Sequence, residues 1–533
     1  MHYDIVIHNG RVIDGTGNPW FNADIGIRGG KIRKIGKIEN RESEQAIDAQ
    51  GMVVSPGFID LHNHSDMTAQ ALPGCESNLM QGVTTAVVGN CGLSMAPISP
   101  KTRALLKEYL SPFLVGGFDY GWGWKTFKDF FLLLKERNIA INMAPLVGHG
   151  TLRIAVSGFK KEPLSDPEMA EMKNLLRKSL KAGAFGMSTG LIYPPGCYAS
   201  TEELIELSSV LKEFGRIYTS HIRDEGADLI ESVAEAVRIG EANGIPVQVS
   251  HLKAKGAANW GKVRTAIRMM EEARRRGVDI GFEAYPYLAG STTITSILPI
   301  WAMEGGVAKM LDRLRQAESR EKIRKQLEDD GNDIKDAGWN GIIIASCPKR
   351  QDLEGNSLEA IIRMMNRTSD PYGGFLDMVL EIEGDSTVVK FFIDEEDVRE
   401  ILSNPLSAVI SDSWATAPHA GGKPHPRCYG TFPRMLGKYV REERLVPIEA
   451  AVQKMTALPA AKIGLYDRGI LRKGLWADVV IFDPEKIADR ATFDSPHQYP
   501  IGIEYVLVNG KIAVSRGRQS ESRSGTVLLA EMD

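Results

Sequence analysis

Apolar and polar positions alternate in two different ways along this chain. Near the start, YDIVIHNGRVIDG, ADIGIRGGKIRKIG and AIDAQGMVV are short runs rich in β-branched residues and broken by Gly and Asn. That pattern predicts short strands joined by tight turns. The far end repeats it in ADVVIFDP, IEYVLVNGKIAV and GTVLLAEMD. IVIHNGRVID and YVLVNGKIAV share an apolar strand, an Asn-Gly step and a second strand, and Asn-Gly favours a type I′ hairpin. The two ends together predict one small β-sandwich domain, formed by residues 1–55 and 461–533 and split by everything between.

The middle, residues 56–460, reads differently. Apolar runs alternate with helical stretches such as SDPEMAEMKNLLRKSLKAG and ADLIESVAEAVRIGEANG, the second with apolar residues at helix spacing and a stop at Gly. This is the βαβα pattern of a parallel sheet. Strands are predicted at 57–62, 84–90, 142–147, 184–188, 216–220, 246–250, 280–284 and 407–411. Eight such units point to an α/β fold of the (β/α)8 TIM-barrel type. The gap before strand eight is several βα units long, so residues 292–404 are predicted to be an insertion between strands seven and eight, holding at least one extra strand, GIIIAS, and the helical SREKIRKQLEDDG. A second insertion, residues 93–137, is aromatic-rich (FDYGWGWKTFKDFF) and is expected mainly to pack as a subdomain.

Chemistry in such a barrel gathers at the carboxyl ends of the strands. There the chain places His62 and His64, Cys91, His221, His251 and Asp412. Each residue alone has an ordinary structural explanation, such as a satisfied histidine, a buried thiol or a turn cap. Together, at matching ends of one parallel sheet, they read as metal ligands, and imidazole with thiolate favours zinc. His149, His419 and His425 are kept off the site.

Composition narrows the partners. A formal net charge of −4 over 533 residues, with no basic block, argues against nucleic acid. No apolar run reaches the roughly 18 residues of a membrane span, and the start lacks a signal-peptide pattern. Five cysteines without paired spacing fit free thiols in the cytoplasm. GMSTG matches the Gly-x-Ser-x-Gly nucleophile elbow of serine hydrolases, but two prolines follow almost at once and oppose the helix that the elbow needs.

The motifs PGFIDLHNHSD, GVTTAVVGNCG, GLIYPPG, SHIRDE, SHLKAKG, AYPYLAGST, SDSWATAPHAGGKPHPRCYGTFPR and GLWADVVIFDP resemble the amidohydrolase superfamily of zinc-dependent barrels, and more narrowly its D-aminoacylase (N-acyl-D-amino-acid deacylase) family. The resemblance spans nearly the whole chain. It implies hydrolysis of a small-molecule N-acyl-D-amino acid with Zn2+ held tightly by Cys91, His221 and His251. His62, His64 and Asp412 would line a second metal position, with Cys91 able to bridge. Asp412 would be the general base and acid. Lys253 and Arg427 are candidates for the substrate's α-carboxylate, and the resemblance adds Tyr193, Tyr285 and Ser291 as substrate contacts. The aromatic-rich first insertion points to apolar substrate side chains. Two other readings keep the barrel: a cyclic amidase of the hydantoinase or dihydroorotase kind, and a non-catalytic zinc-binding scaffold. The absence of lysine from strand four and the place of Cys91 oppose the first, and the complete set of ligand types opposes the second.

Overall fold

The structure is a computed structural model that describes residues 2–39, 43–329 and 332–531. Asp330 and Gly331 of SREKIRKQLEDDG, and Met532 and Asp533 of the closing GTVLLAEMD, lie outside the described residues.

Eight short parallel strands follow in the predicted order. They are Phe58–Asp60, Val83–Val88, Asn142–Pro145 continued by Val147–Gly148, Gly186–Gly190, Ile217–His221, Val247–Val249, Ile280–Ala284 and Ser407–Val409. Each pairs in parallel with the next. Strands eight and one meet just past their ends, in an isolated parallel bridge between Asn63 and Ser413. There Asp412 N donates to His62 O at 2.9 Å and His64 N to Ser413 O at 2.7 Å. All six residues of VTTAVV are buried, which is why these strands read as continuous apolar runs rather than alternating ones. The crossover helices are amphipathic and well terminated. Ser165 and Glu168 form a capping box at the start of Asp166–Lys181, and Gly244, at φ 63°, closes Leu229–Asn243.

One nine-stranded sheet takes strands from both ends of the chain. Val53–Pro56 pairs with Tyr3–Val12 on one side and with Val479–Phe482 on the other, and Ile5, Ile7, Ile25, Ile27, Val479, Ile481 and Leu507 share one core. The two Asn-Gly steps part company here. Asn509-Gly510 turns between Ile503–Val508 and Lys511–Ser515, with both φ angles positive (50° and 75°), as a type I′ hairpin requires. Asn9-Gly10 makes no turn. It lies inside Tyr3–Val12 as a bulge between Ile7 and Gly10, and Asn9 N donates to Asp24 Oδ1 at 3.1 Å. The closing GTVLLA does not join this sheet either. Val527 bridges to Met143 on strand three instead.

The long insertion is more ordered than one extra strand. Ala289–Thr293, Thr387–Phe391 and Ile342–Ser346 form a three-stranded antiparallel sheet, which begins before the predicted bound at Thr292. Its helices close a separate core around Ile294, Leu311, Phe375 and Val388. In the first insertion, Trp122 stacks on Trp124 at 5.2 Å, and Trp124 meets Phe130 at 5.2 Å. Those aromatics are core, as the packing expectation had it. No helix among the described residues is long and apolar enough to cross a membrane.

Candidate active site

Every strand-end residue predicted to bind metal converges on one point. His62, His64, Cys91 and Asp412 form one group of buried donor atoms, and Cys91, His221 and His251 form another; within each group the atoms lie within 4.8 Å of one another. Cys91 belongs to both. Its Sγ is 3.2 Å from His62 Nε2 and 3.5 Å from both His221 Nδ1 and His251 Nε2. Asp412 Oδ1 lies 3.2 Å from His64 Nε2 and 3.4 Å from His62 Nε2.

The backbone holds three of these candidate ligands in costly conformations. Cys91, His251 and Asp412 have φ of 54°, 33° and 49°, the left-handed region that non-glycine residues rarely enter. Cys91 sits between Gly89 and Gly92, both with positive φ. A Cβ on Gly92 would come within 2.8 Å of Gly190 N, so only glycine lets strand two's end approach strand four.

The site fits a metal by its chemistry. Burial drives His62 and His221 well below the usual imidazole range, into the neutral form that coordinates. Burial, and next the Asp412 charge, push the Cys91 thiol well above its usual range, an expense that a bound cation would reverse. Burial alone would raise Asp412, but Arg427 and His62 hold it well below the usual carboxylate range, so it is an ionised acceptor. His221 Nε2 is buried without a hydrogen bond among the described residues.

A set of carboxylates, not foreseen from the sequence, lies behind the candidate ligands and orients them. Glu283 Oε1 is 2.6 Å from His62 Nδ1, which turns Nε2 toward Cys91. Glu225 Oε1 is 3.0 Å from His251 Nδ1 and 2.5 Å from Lys253 Nζ. Burial would raise Glu225, but Lys253 and His221 hold it well down. Asp60 accepts from Ser411 N at 2.9 Å and Asn63 Nδ2 at 2.8 Å, tying strand one to strand eight. Glu225 was visible inside SHIRDE, four residues after His221, and Glu283 as the lone charge in the buried strand IGFEA. A charge placed there needs a partner.

The predicted substrate contacts line the same pocket: Tyr193, Lys253, Tyr285, Ser291 and Arg427. Arg427 Nη1 lies 2.8 Å from Asp412 Oδ2, and its guanidinium sits 4.7 Å over the Tyr285 ring. Ser291 Oγ has no hydrogen-bond partner among the described residues. Tyr193 OH is 2.7 Å from Thr292 Oγ1, which joins strand four's loop to the insertion sheet. Of the aromatics from the first insertion, Phe113 reaches the pocket, whereas the FDYGWGWKTFKDFF rings are spent on packing, so they carry no information about the substrate's side chain. His425 accepts from Arg427 N at 3.0 Å and donates to Ala289 O at 2.9 Å, a brace. His149 is buried 3.4 Å from Glu203, and His419 is exposed.

GMSTG is no nucleophile elbow. It is strand four itself, Gly186–Gly190, and Ser188 Oγ is engaged by Gly89 O at 2.5 Å and Gly92 N at 3.0 Å.

The amidohydrolase family profile matches residues 45–318 and 369–514. A D-aminoacylase of Alcaligenes xylosoxydans xylosoxydans is 36% identical, covering 95% of this chain and 94% of that protein. An N-acyl-D-glutamate deacylase of the same organism is 37% identical, covering 98% and 96%. Among solved structures, the N-acyl-D-glutamate deacylase of Bordetella bronchiseptica, complexed with zinc and a phosphonate inhibitor that mimics the tetrahedral intermediate, superposes with a TM-score of 0.83 at 34% identity, covering 99% of this chain and 100% of that one. A D-hydantoinase shares the fold, with a TM-score of 0.57 at 15% identity, covering 99% of each chain.

Proposed function

The chain belongs to the amidohydrolase family, and from that premise we propose that it is a zinc-dependent hydrolase cleaving N-acyl-D-amino acids to a carboxylate and a free D-amino acid. The observation that carries the reading is Cys91. Its thiol stands between both ligand groups, the place of a bridging ligand, while strand four, Gly186–Gly190, has no lysine that could serve instead. The relatives named above, two of them deacylases of D-amino-acid derivatives by name, support the substrate class and its handedness.

Cys91, His221 and His251 would hold the tight Zn2+, with His62, His64 and Asp412 at the second position. When bound, zinc supplies Lewis-acid activation of water and of the amide carbonyl. The chain's residues do the rest. Asp412, ionised and at the pocket floor, takes a proton from the attacking water and delivers it to the leaving nitrogen. Arg427 and Lys253 anchor the α-carboxylate, Arg427 through its planar fork, with Tyr285 beneath both cations at 4.7 and 5.7 Å. Tyr193 and Ser291 close the pocket on the insertion side. The unpaired cysteines support a reducing, cytoplasmic setting.

The test is amino-acid release from N-acetyl-D- and N-acetyl-L-amino acids, with zinc and after chelation. Zinc-dependent release from D substrates alone is the expected result. Turnover of hydantoins or dihydroorotate with no release from linear amides would replace this reading with the cyclic one.

A further inference from the structure

Three cations line the pocket: Lys253, Arg427 and Lys390. Two of them stand beside the metal-ligating groups, Lys253 on Glu225 and Arg427 on Asp412. Lys390 comes from elsewhere. It lies on Thr387–Phe391 of the insertion sheet, directly across the antiparallel ladder from Gly290. Residues paired across a ladder share a face of the sheet, and Gly290 has no side chain to stand between Lys390 and the pocket. A Cβ there would come within 3.1 Å of the Phe392 ring and 3.5 Å of the Tyr285 hydroxyl. Glycine at 290 therefore keeps the passage open.

Lys390 is only 5% exposed. Its ammonium donates to Asp333 Oδ2 at 2.5 Å and to Ser296 Oγ at 3.3 Å. An ammonium has three donors, so one is left over. Asp333 is itself shared, because Lys255 Nζ lies 3.2 Å from its other oxygen, with Asp224 3.9 Å from Lys255 on the far side. Asp333 therefore serves two ammoniums, and Lys390 does not hold it alone. Burying an ammonium is costly unless it is paired and hydrogen-bonded. A substrate with a single α-carboxylate is already met by Arg427 and Lys253 and gives Lys390 nothing to bind.

We propose that Lys390 is a specificity-determining residue that binds a carboxylate on the substrate's side chain, so that the preferred substrates are N-acyl derivatives of D-aspartate or D-glutamate. This rests on the deacylase reading above and narrows it. The insertion sheet then supplies the side-chain subsite. Lys390 contributes the charge, and Thr292, Phe392 and Phe113 surround the methylenes.

The experiment compares kcat/KM of the zinc-loaded full chain for N-acetyl-D-aspartate, N-acetyl-D-glutamate, N-acetyl-D-leucine and N-acetyl-D-methionine. The acidic substrates are expected to lead by at least about tenfold. K390M should lower kcat/KM for them by about 10- to 100-fold, the scale of one charged hydrogen bond, mostly through KM, and leave the neutral substrates within about threefold. K390R keeps the charge and should retain the preference for acidic substrates. Release of D-leucine or D-methionine with no preference for the acidic pair in the wild type overturns this inference and leaves the deacylase reading standing. Equal loss on all four substrates in K390M overturns it too, by giving Lys390 a structural role only. No release from any of the four, with zinc bound, overturns both.

Discussion

The two walls of the pocket are built on different principles. On the barrel side, each candidate metal ligand ends a short buried strand or follows it by a few positions, and three of the six hold left-handed backbone. That strain persists because the ladder, the glycines and a carboxylate behind each of His62 and His251 over-determine the geometry. On the insertion side, the wall is an antiparallel sheet with its own core, and its one buried ammonium in the pocket is secured chiefly by a single carboxylate, Asp333. The barrel wall resists change because many elements meet in it. The insertion wall has its own core and meets the metal site only through a few contacts among the described residues, such as Arg427 with Ser291 O at 3.3 Å, and that is where variation in substrate belongs.

The sharpest way to break this comparison is at Cys91, the one residue in both ligand groups. Cys91→Ala should strip most of the bound zinc, and most of the turnover with it, as read by metal analysis alongside activity. Unchanged zinc stoichiometry would remove Cys91 from the centre. Asp412→Asn should do something different: keep the tight zinc and lose about 10²- to 10⁴-fold in kcat, the scale of general acid–base catalysis. Near-normal turnover of that variant would show that another group moves the proton. Smaller again are the supporting carboxylates. Glu225→Gln and Glu283→Gln should each weaken zinc binding by about 10- to 100-fold, measured by competition with a chelator. Zinc affinity equal to wild type in both would mean that the barrel wall does not depend on its second layer.

How much of this was legible in the sequence follows from the same contrast. The convergence of the donor side chains was legible because βα units place strand ends at regular spacing, so His62, Cys91, His221 and His251 advertise one surface. The carboxylates behind them were not assigned. Glu283 lies 221 positions from His62 in the chain, and only tertiary packing brings the two together. The two Asn-Gly steps show the limit of local rules. Asn509-Gly510 turned as its chemistry prefers, while at Asn9-Gly10 pairing with Phe21–Arg28 and the Asp24 carboxylate turned the same dipeptide into a bulge. Beyond the one named strand, the insertion's other strands, Ala289–Thr293 and Thr387–Phe391, went unassigned because they flank a long helical stretch and pair with each other, and Thr387–Phe391 with Ile342–Ser346, across that distance. Lys390, in such a strand, had no motif to mark it.

The smallest effect tests the insertion wall by itself. Burial would raise the Asp333 carboxyl, but Lys390 and Lys255 hold it down at about 2, against an ordinary 3.8. A folded pKa below the unfolded one makes the unfolded chain the stronger proton binder, so the stabilisation is complete above pH 3.8 and is lost as pH falls from there toward 2. A shift of that size is worth about 2 kcal/mol. In zinc-free protein, where metal loss does not enter, the wild type should lose about that much more stability than an Asp333→Asn variant across this window, since the other buried carboxylates titrate alike in both. Asp333→Asn, which has no such proton to bind, should start lower and show a flatter acid limb in urea unfolding followed by near-ultraviolet circular dichroism. If the two acid limbs run parallel, the Asp333 pair does not secure the wall, and the insertion core around Phe375 and Val388 holds Lys390 in place without it.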